Sequence, residues 1–532
     1  MKSFSFFNQL RSITTRRSLP TLCLGLYILF SQSAPFFLEM HNGMVLVGFI
    51  HILLFALSLL LILPLLNLII TKITISNTYT RTNTYRLKVF LSFFCISFTI
   101  LFLWFLGSQP GSYSSDSLSQ YAQAYYGKYN DWHPAIHTLL FFTLPLKTTG
   151  SVSAIIIFQI AYFSLFMGYF AQVICKYADL RTVILFVFCI LASPFTLDIL
   201  MFPWKDIAFS LASATCILFS ANIYFTNGKW IEKRSHLILF SSAIALATLF
   251  RHNGILFSLP LLLAIIFFIP KKKWVVLTIL SITCILCIKG PVYYFFDVSR
   301  PRYHTIEIAG FPLSIITHVA KECPECLDSQ TSNFIKRMVQ PLPSWKKYQK
   351  TSGFNSIKWK GIDAKVIEEA GTVNIIKMAT KCFFAAPRHS AIAILDLTSQ
   401  VYTINTGTNI GTYIDPNSYG IQKDNNLFFE HLNERYRIFF EYSKLNSIFS
   451  CIGTTLILMF CFITFKSNLT NKQHLRRLFL CLPIIIYVFG TMLLLSGPDI
   501  RFFFATQLVW PGIIIICIKE NKEQPGTQIS TT

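Results

Sequence analysis

Two carboxylates and an imidazole stand within Ser114–Pro134 (SSDSLSQYAQAYYGKYNDWHP), a polar, tyrosine-rich loop between two greasy segments of this 532-residue chain. Asp116 and Asp131 can accept protons or bind hydroxyls. His133, beside Asp131 and Trp132, adds a group that titrates near neutrality. Further along, Lys205-Asp206, Arg251-His252-Asn253 and Asp499-Ile500-Arg501 interrupt apolar runs. Arginine offers a planar, permanently charged fork that matches phosphate. Ionisable groups beside hydrocarbon are expensive to keep, and so are functional candidates. Together these residue types suit general acid–base work on an anionic substrate held at a membrane border.

Each residue also has a plainer reading. Asp116 stands where a helix N-cap is expected, before Leu118, Tyr121 and Ala122. A cap would also fix its carboxylate, so the two roles are compatible. Asp131 and Pro134 are ordinary helix-start residues, and Trp132 is an interfacial anchor. His133 and His137 lie one turn apart, a spacing that could face a metal, but no third ligand stands nearby. Lys205-Asp206 reads equally as a snorkelling pair, and Asp499 with Arg501 as a structural salt bridge.

The elements that must position these groups are membrane spans. The chain is 53% hydrophobic and only 13% charged, about half the charge of a soluble protein. Apolar runs long enough to cross ~30 Å of hydrocarbon recur at about 19–38, 44–71, 89–107, 151–175, 181–199, 207–226, 236–250, 254–269, 274–291, 448–465, 478–495 and 502–518. The expected fold class is an all-α polytopic membrane protein of about 12 transmembrane helices. Lysines and arginines gather in alternate loops (Lys72–Lys88, Lys176–Arg181, Lys229–Arg234, Lys271–Lys273, Lys466–Arg477), as the positive-inside rule predicts. The net charge of +22 therefore reports topology and not nucleic-acid binding.

His133–Lys147 is apolar but short for a span. Counting it as a crossing would invert every later loop, so it is expected to be a half-buried juxtamembrane helix. Twelve crossings then leave both termini cytoplasmic and put every candidate residue on the opposite face. No signal-peptide cleavage site follows Lys2, Arg11, Arg16 and Arg17, so the first apolar segment is expected to be retained.

Four regions follow: two extra N-terminal helices and a basic loop (1–88), a transmembrane core with an outer loop at 108–150 (89–291), an outer cap (292–447), and C-terminal helices with a tail (448–532). The cap is expected to be partly helical over 362–390 and to rest on the bilayer surface. Asn405–Lys423 reads as loop. Cys323-Pro-Glu-Cys326 is weak evidence for zinc, and a local disulfide fits an oxidising compartment better.

Taken in order, Asp116 in SSDSLSQYAQAYYG, the Trp132-His133-Pro134 turn, Asp206, the RHNG motif at 251–254 and the late SGPDIRFF turn resemble the GT-C superfamily of membrane glycosyltransferases over about residues 88–518. The resemblance implies a GT-C-like bundle with a juxtamembrane helix and an outer-face cap, in a bacterial inner membrane. It implies inverting transfer of a sugar from a polyprenyl-phosphate donor to the hydroxyl of a glycolipid, polymer or protein. Asp116 would be the general base, or a ligand to a divalent ion (Mg or Mn). Lys205, Arg251 and Arg501 would stabilise the leaving phosphate. Asp131, His133, Asp206, His252 and Asn253 would bind or position substrates. The chain departs from better-known members at Trp204-Lys205-Asp206, where they carry an acid–Arg pattern. A transporter, which predicts repeated halves and midplane charges, and a polysaccharide polymerase or ligase are the competing readings. A structural or assembly protein would tolerate changes at Asp116, Lys205 and Arg251 together.

Overall fold

The computed structural model describes residues 82–300, 305–349, 353–358, 360–402, 410–424, 426–442 and 471–519. The expected spans 19–38, 44–71 and 448–465, and both termini, lie outside the described residues. Among the described residues the chain is all-α, with two isolated β-bridges and no strand.

The longer helices are α1 (Asn83–Leu106), α2 (Ser115–Tyr126), α3 (135–149, with a π-helical turn at Thr138–Thr143), α4 (Ser153–Ile174), α5 (Leu180–Leu191), α6 (Pro194–Ile199), α7 (Lys205–Phe225), α8 (Arg234–Leu249), α9 (Ile255–Ile265), α10 (Lys271–Cys287), α11 (Gly310–Glu322), α12 (Ser329–Val339), α13 (Ala364–Ala385), α14 (Pro387–Tyr402), α15 (Leu427–Tyr442), α16 (Asn471–Met492) and α17 (Phe504–Lys519). Four helices among the described residues are long and apolar enough to cross a membrane: α1, α4, α7, and α10 with its continuation to Phe295. Helices α5, α8 and α9 and the apolar part of α16 are shorter apolar helices.

Burial ranks these helices by position. The apolar window of α7 is 89% buried and that of α10 only 11%, so α7 is the central post and α10 an outer one that turns its side chains outward. Helix α7 packs against α17, α8 and α4, and α1 packs along α4. At that last seam the chains touch closely: a Cβ on Gly168 would come within 2.7 Å of the Phe90 carbonyl oxygen. Small residues are what let apolar helices approach so far.

Two expectations need correction. The 181–199 run does not form one helix. It ends at Leu191 and restarts at Pro194, because the Ser193 hydroxyl accepts the Thr196 amide and Pro194 occupies the first helical position. Helix α3 is more deeply packed than a half-buried surface helix, since Ile136, His137, Leu139, Phe141 and Phe142 are all buried.

The cap is more helical than expected. Helices α11 to α13 and the short segments between them enclose a core of their own around Leu313, Ile316, Met338, Ile357, Ile367 and Met378. Helix α14 runs from this core to the main one, where Leu397 and Val401 are buried. Cys323 and Cys326 form a disulfide at the end of α11.

Candidate functional site

Four turns, widely separated in sequence, bring their charged groups to one end of the bundle. They follow α1, precede α7, follow α8 and follow α16.

Helix α2 starts with its Ser115 amide donating 2.6 Å to the Asp415 carboxylate. Ser114 is the N-cap and Asp116 lies in the first turn, so Asp116 is not the cap residue that its position suggested. Free of that duty, it is 31% exposed, and the helix N-terminus favours its ionised form. Arg501 Nη2 lies 2.8 Å from Asp116 Oδ2, and His133 Nε2 lies 3.9 Å from Oδ1. Burial alone would raise the Asp116 pKa; Arg501 and Lys205 outweigh it and hold the carboxyl well below the usual carboxylate range.

His133 is buried, and Lys205 Nζ donates to its Nδ1 at 2.9 Å. An imidazole accepting at Nδ1 carries its proton on Nε2, the nitrogen facing Asp116. Burial, then the Lys205 charge, push the His133 pKa down to about 3, so the ring is neutral. The 3.9 Å gap between a neutral N–H and an ionised carboxylate is too long for a direct hydrogen bond. A hydroxyl placed there could meet both groups.

Asp206 behaves differently. It is 1% exposed, at the start of the central helix, with Arg251 Nη1 at 2.6 Å. Arg251 also donates to the Tyr487 hydroxyl at 3.0 Å and lies over the Phe502 ring at 4.5 Å. Arg501 joins the two halves. Its Nε is 2.7 Å from Asp499 and 3.9 Å from Asp206, and its guanidinium lies 4.8 Å above Trp204. Burial opposes the Arg501 charge, but Asp499, Asp116 and Asp206 together raise its pKa above the ordinary value. Three carboxylates thus interleave with Lys205, Arg251 and Arg501.

The remaining expected residues lie beside this cluster. Asp131 Oδ1 accepts the Ala135 amide at 3.0 Å and the Tyr293 hydroxyl at 3.2 Å. It faces Lys289 at 3.8 Å across a cleft of about 510 Å³ that Tyr294, Asp297 and Arg300 also line. His252 meets the Trp132 carbonyl oxygen at 3.3 Å, and Asn253 donates to Thr491 at 3.0 Å, so both tie turns together. His137 meets Gln120 at 2.8 Å, and not a shared ligand with His133.

A divalent ion is a poor fit. Hard cations take six or more oxygen ligands, whereas Asp116, Asp206 and Asp499 each already face an arginine. Among the described residues the grouping of metal-ligand types is Cys323, Glu325 and Cys326, whose sulfurs are bonded to each other.

Several supports were not legible from local sequence. Gln159, buried in α4, donates 2.7 Å to the carbonyls of both Leu200 and Phe202 and so fixes the approach to Trp204 and Lys205. Tyr487 holds Arg251 from α16. Residues 410–424 lie alongside the outer loop: the Tyr113 amide donates to the Tyr413 carbonyl at 2.9 Å, and the Asp415 amide to the Tyr113 carbonyl at 2.8 Å. Comparison with protein-family models, with curated proteins and with solved structures finds no match for this chain.

Proposed function

We propose that this chain is a membrane glycosyltransferase of GT-C-like architecture, with about 12 transmembrane helices, that moves a sugar from a polyprenyl-phosphate donor to an acceptor hydroxyl on the extracytoplasmic face of a bacterial inner membrane. The observation that carries this reading is the position of Asp116. It is an accessible carboxylate, about as exposed as Asp499, and it has Arg501 on one oxygen and the N–H face of His133 near the other.

In this reading the acceptor hydroxyl sits between Asp116 and His133. Its oxygen attacks the anomeric carbon as the bond from that carbon to the phosphate oxygen breaks. The proton passes to Asp116, and the lipid phosphate leaves with the electron pair. Arg501 and Lys205 stabilise the charge that gathers on the phosphate. A carboxylate gripped by arginine is a weak base, so the donor has a second task. When its phosphate takes the Arg501 fork, Asp116 loses its strongest partner, and its proton affinity rises toward what a general base needs. Arg251 and Asp206 neutralise each other below the reacting groups and hold the floor of the site. Lys289 and Arg300, where the outward-facing α10 ends, offer the lipid-borne phosphate an approach. The acceptor would be a glycolipid, polymer or protein.

The test uses full-length protein in nanodiscs with a radiolabelled undecaprenyl-phosphate sugar, following release of undecaprenyl phosphate. Asp116→Asn should lower the rate about 10²–10⁴-fold, the range for losing a general base, with an unchanged melting profile. Full activity in that variant would remove Asp116 as the base.

A further inference from the structure

Two of the contacts between the outer cap and the turns of the charged cluster involve the cap core. Trp132, next to His133, packs against the cap core. The second contact is a joint between residues 353–355 of the cap and the turn 496–499 that leads into Arg501. The Asn355 amide donates to the Ser496 carbonyl at 2.7 Å, and the Ser496 hydroxyl donates back to Asn355 Oδ1 at 2.8 Å.

Three glycines make this approach possible. A Cβ would lie 2.4 Å from the Ser496 Cβ if built on Gly310, 2.7 Å from the Ser496 carbonyl oxygen on Gly353, and 2.9 Å from Asn355 Nδ2 on Gly497. The cap side of the joint is itself anchored, because Phe354 is fully buried and its amide donates to Ser314 of α11 at 2.9 Å. On the other side, Asp499 accepts the Arg501 amide at 3.1 Å and faces its Nε at 2.7 Å. Contacts therefore run from the cap core through Asn355 to Ser496, the short chain segment Gly497-Pro498 leads on to Asp499, and contacts resume from Asp499 through Arg501 to Asp116.

We propose that Asn355, acting through Ser496, is a positioning residue for Arg501, so that the cap sets where the guanidinium stands relative to Asp116. The catalytic consequence rests on the transfer reading above; the positioning itself does not.

The experiment uses the full chain in nanodiscs, labelled with 5-fluorotryptophan. Arg501 lies against Trp204, so the ¹⁹F resonance of Trp204, assigned with Trp204→Phe, reports the guanidinium's place. Asn355→Ala and Ser496→Ala should each shift or broaden that resonance. Asn355→Asp keeps the acceptor oxygen and should leave it near the wild-type position. Arg337→Ala, which breaks an exposed pair with Glu369 elsewhere on the cap, should not move it. In the transfer assay Asn355→Ala should lower kcat/KM for the donor about 10- to 100-fold, as expected for a misplaced group.

A Trp204 resonance that stays put in both Asn355→Ala and Ser496→Ala overturns the proposal, even if the wild type transfers sugar. A resonance that moves while the wild type shows no transfer upholds the positioning and removes the transfer reading instead.

Discussion

Arg501 stands against three carboxylates, at 2.7, 2.8 and 3.9 Å, while Arg251 is committed to Asp206 at 2.6 Å. This division separates a residue that a ligand could recruit from one that holds the fold. Removing Arg251 leaves a 1%-exposed carboxylate without its partner. Arg251→Met should therefore destabilise by about 3–5 kcal/mol, whereas Arg251→Met with Asp206→Leu should recover much of that loss. Thermal unfolding in nanodiscs measures both. The pH dependence follows in part from His133, whose pKa falls from 6.5 to about 3 in the fold, and burial lowers the His137 pKa over the same range. The unfolded chain binds a proton below 6.5 and the folded one does not until about 3, so stability declines as pH drops through that window. Asp116 adds to the decline below its unfolded value. His133→Gln should lessen the fall in melting temperature between pH 6.5 and 4 relative to wild type, with His137 supplying what remains; an unchanged slope would show that the buried His133 ring is not neutral. Asp116, His133, Lys205, Arg251 and Arg501 were legible in the sequence because charge beside hydrocarbon is conspicuous. Asp415, Gln159 and Tyr487 were not, because a polar residue that satisfies a distant backbone or guanidinium looks locally like any other.

At the scale of the helix, hydrophobic runs marked where apolar helices lie among the described residues but not where they break. The runs 89–107, 151–175 and 207–226 correspond to α1, α4 and α7 within a few residues. The 181–199 run divides at Ser193-Pro194, where capping chemistry overrides hydropathy. The 133–147 segment passes for a surface helix because length alone gives no hint of the aromatic packing around Phe141, which meets His137, Phe158, Tyr162 and Phe250. Glycines show the same limit, since spacing does not say which ones carry a contact. Gly168 faces the Phe90 carbonyl at 2.7 Å, a backbone atom that cannot swing aside, while Gly290 has open space around it. Gly168→Ala should force α1 and α4 apart and cost about 1–3 kcal/mol, the range for overpacking a tight seam. Gly290→Ala should be close to neutral. Melting curves of the two variants, taken together, distinguish a packed seam from a general intolerance of substitution.

The whole molecule has two chemically different ends. One gathers Asp116, Asp206, Arg251, Asp499 and Arg501 into contact. At the other, Lys176 donates to Asn222 at 3.3 Å, where α4 and α7 finish, and Lys271–Lys273 open α10. The alternation of basic and functional loops read from the sequence requires this separation. The positive-inside rule predicts that the end with the charged cluster faces outward, and the Cys323–Cys326 disulfide is consistent with that, since such bonds persist in oxidising compartments. A labelling experiment decides the matter in intact cells, with Cys95 and Cys287 replaced by serine. Tyr126 is 63% exposed on α2, beside the cluster, and Lys272 is exposed at the basic end. A membrane-impermeant maleimide should label Tyr126→Cys from outside and should reach Lys272→Cys only after the cells are opened. Labelling of both from outside would break the positive-inside assignment. Labelling of Lys272→Cys alone would put the cluster in the cytoplasm, where a donor presented on the outer leaflet could not reach Asp116.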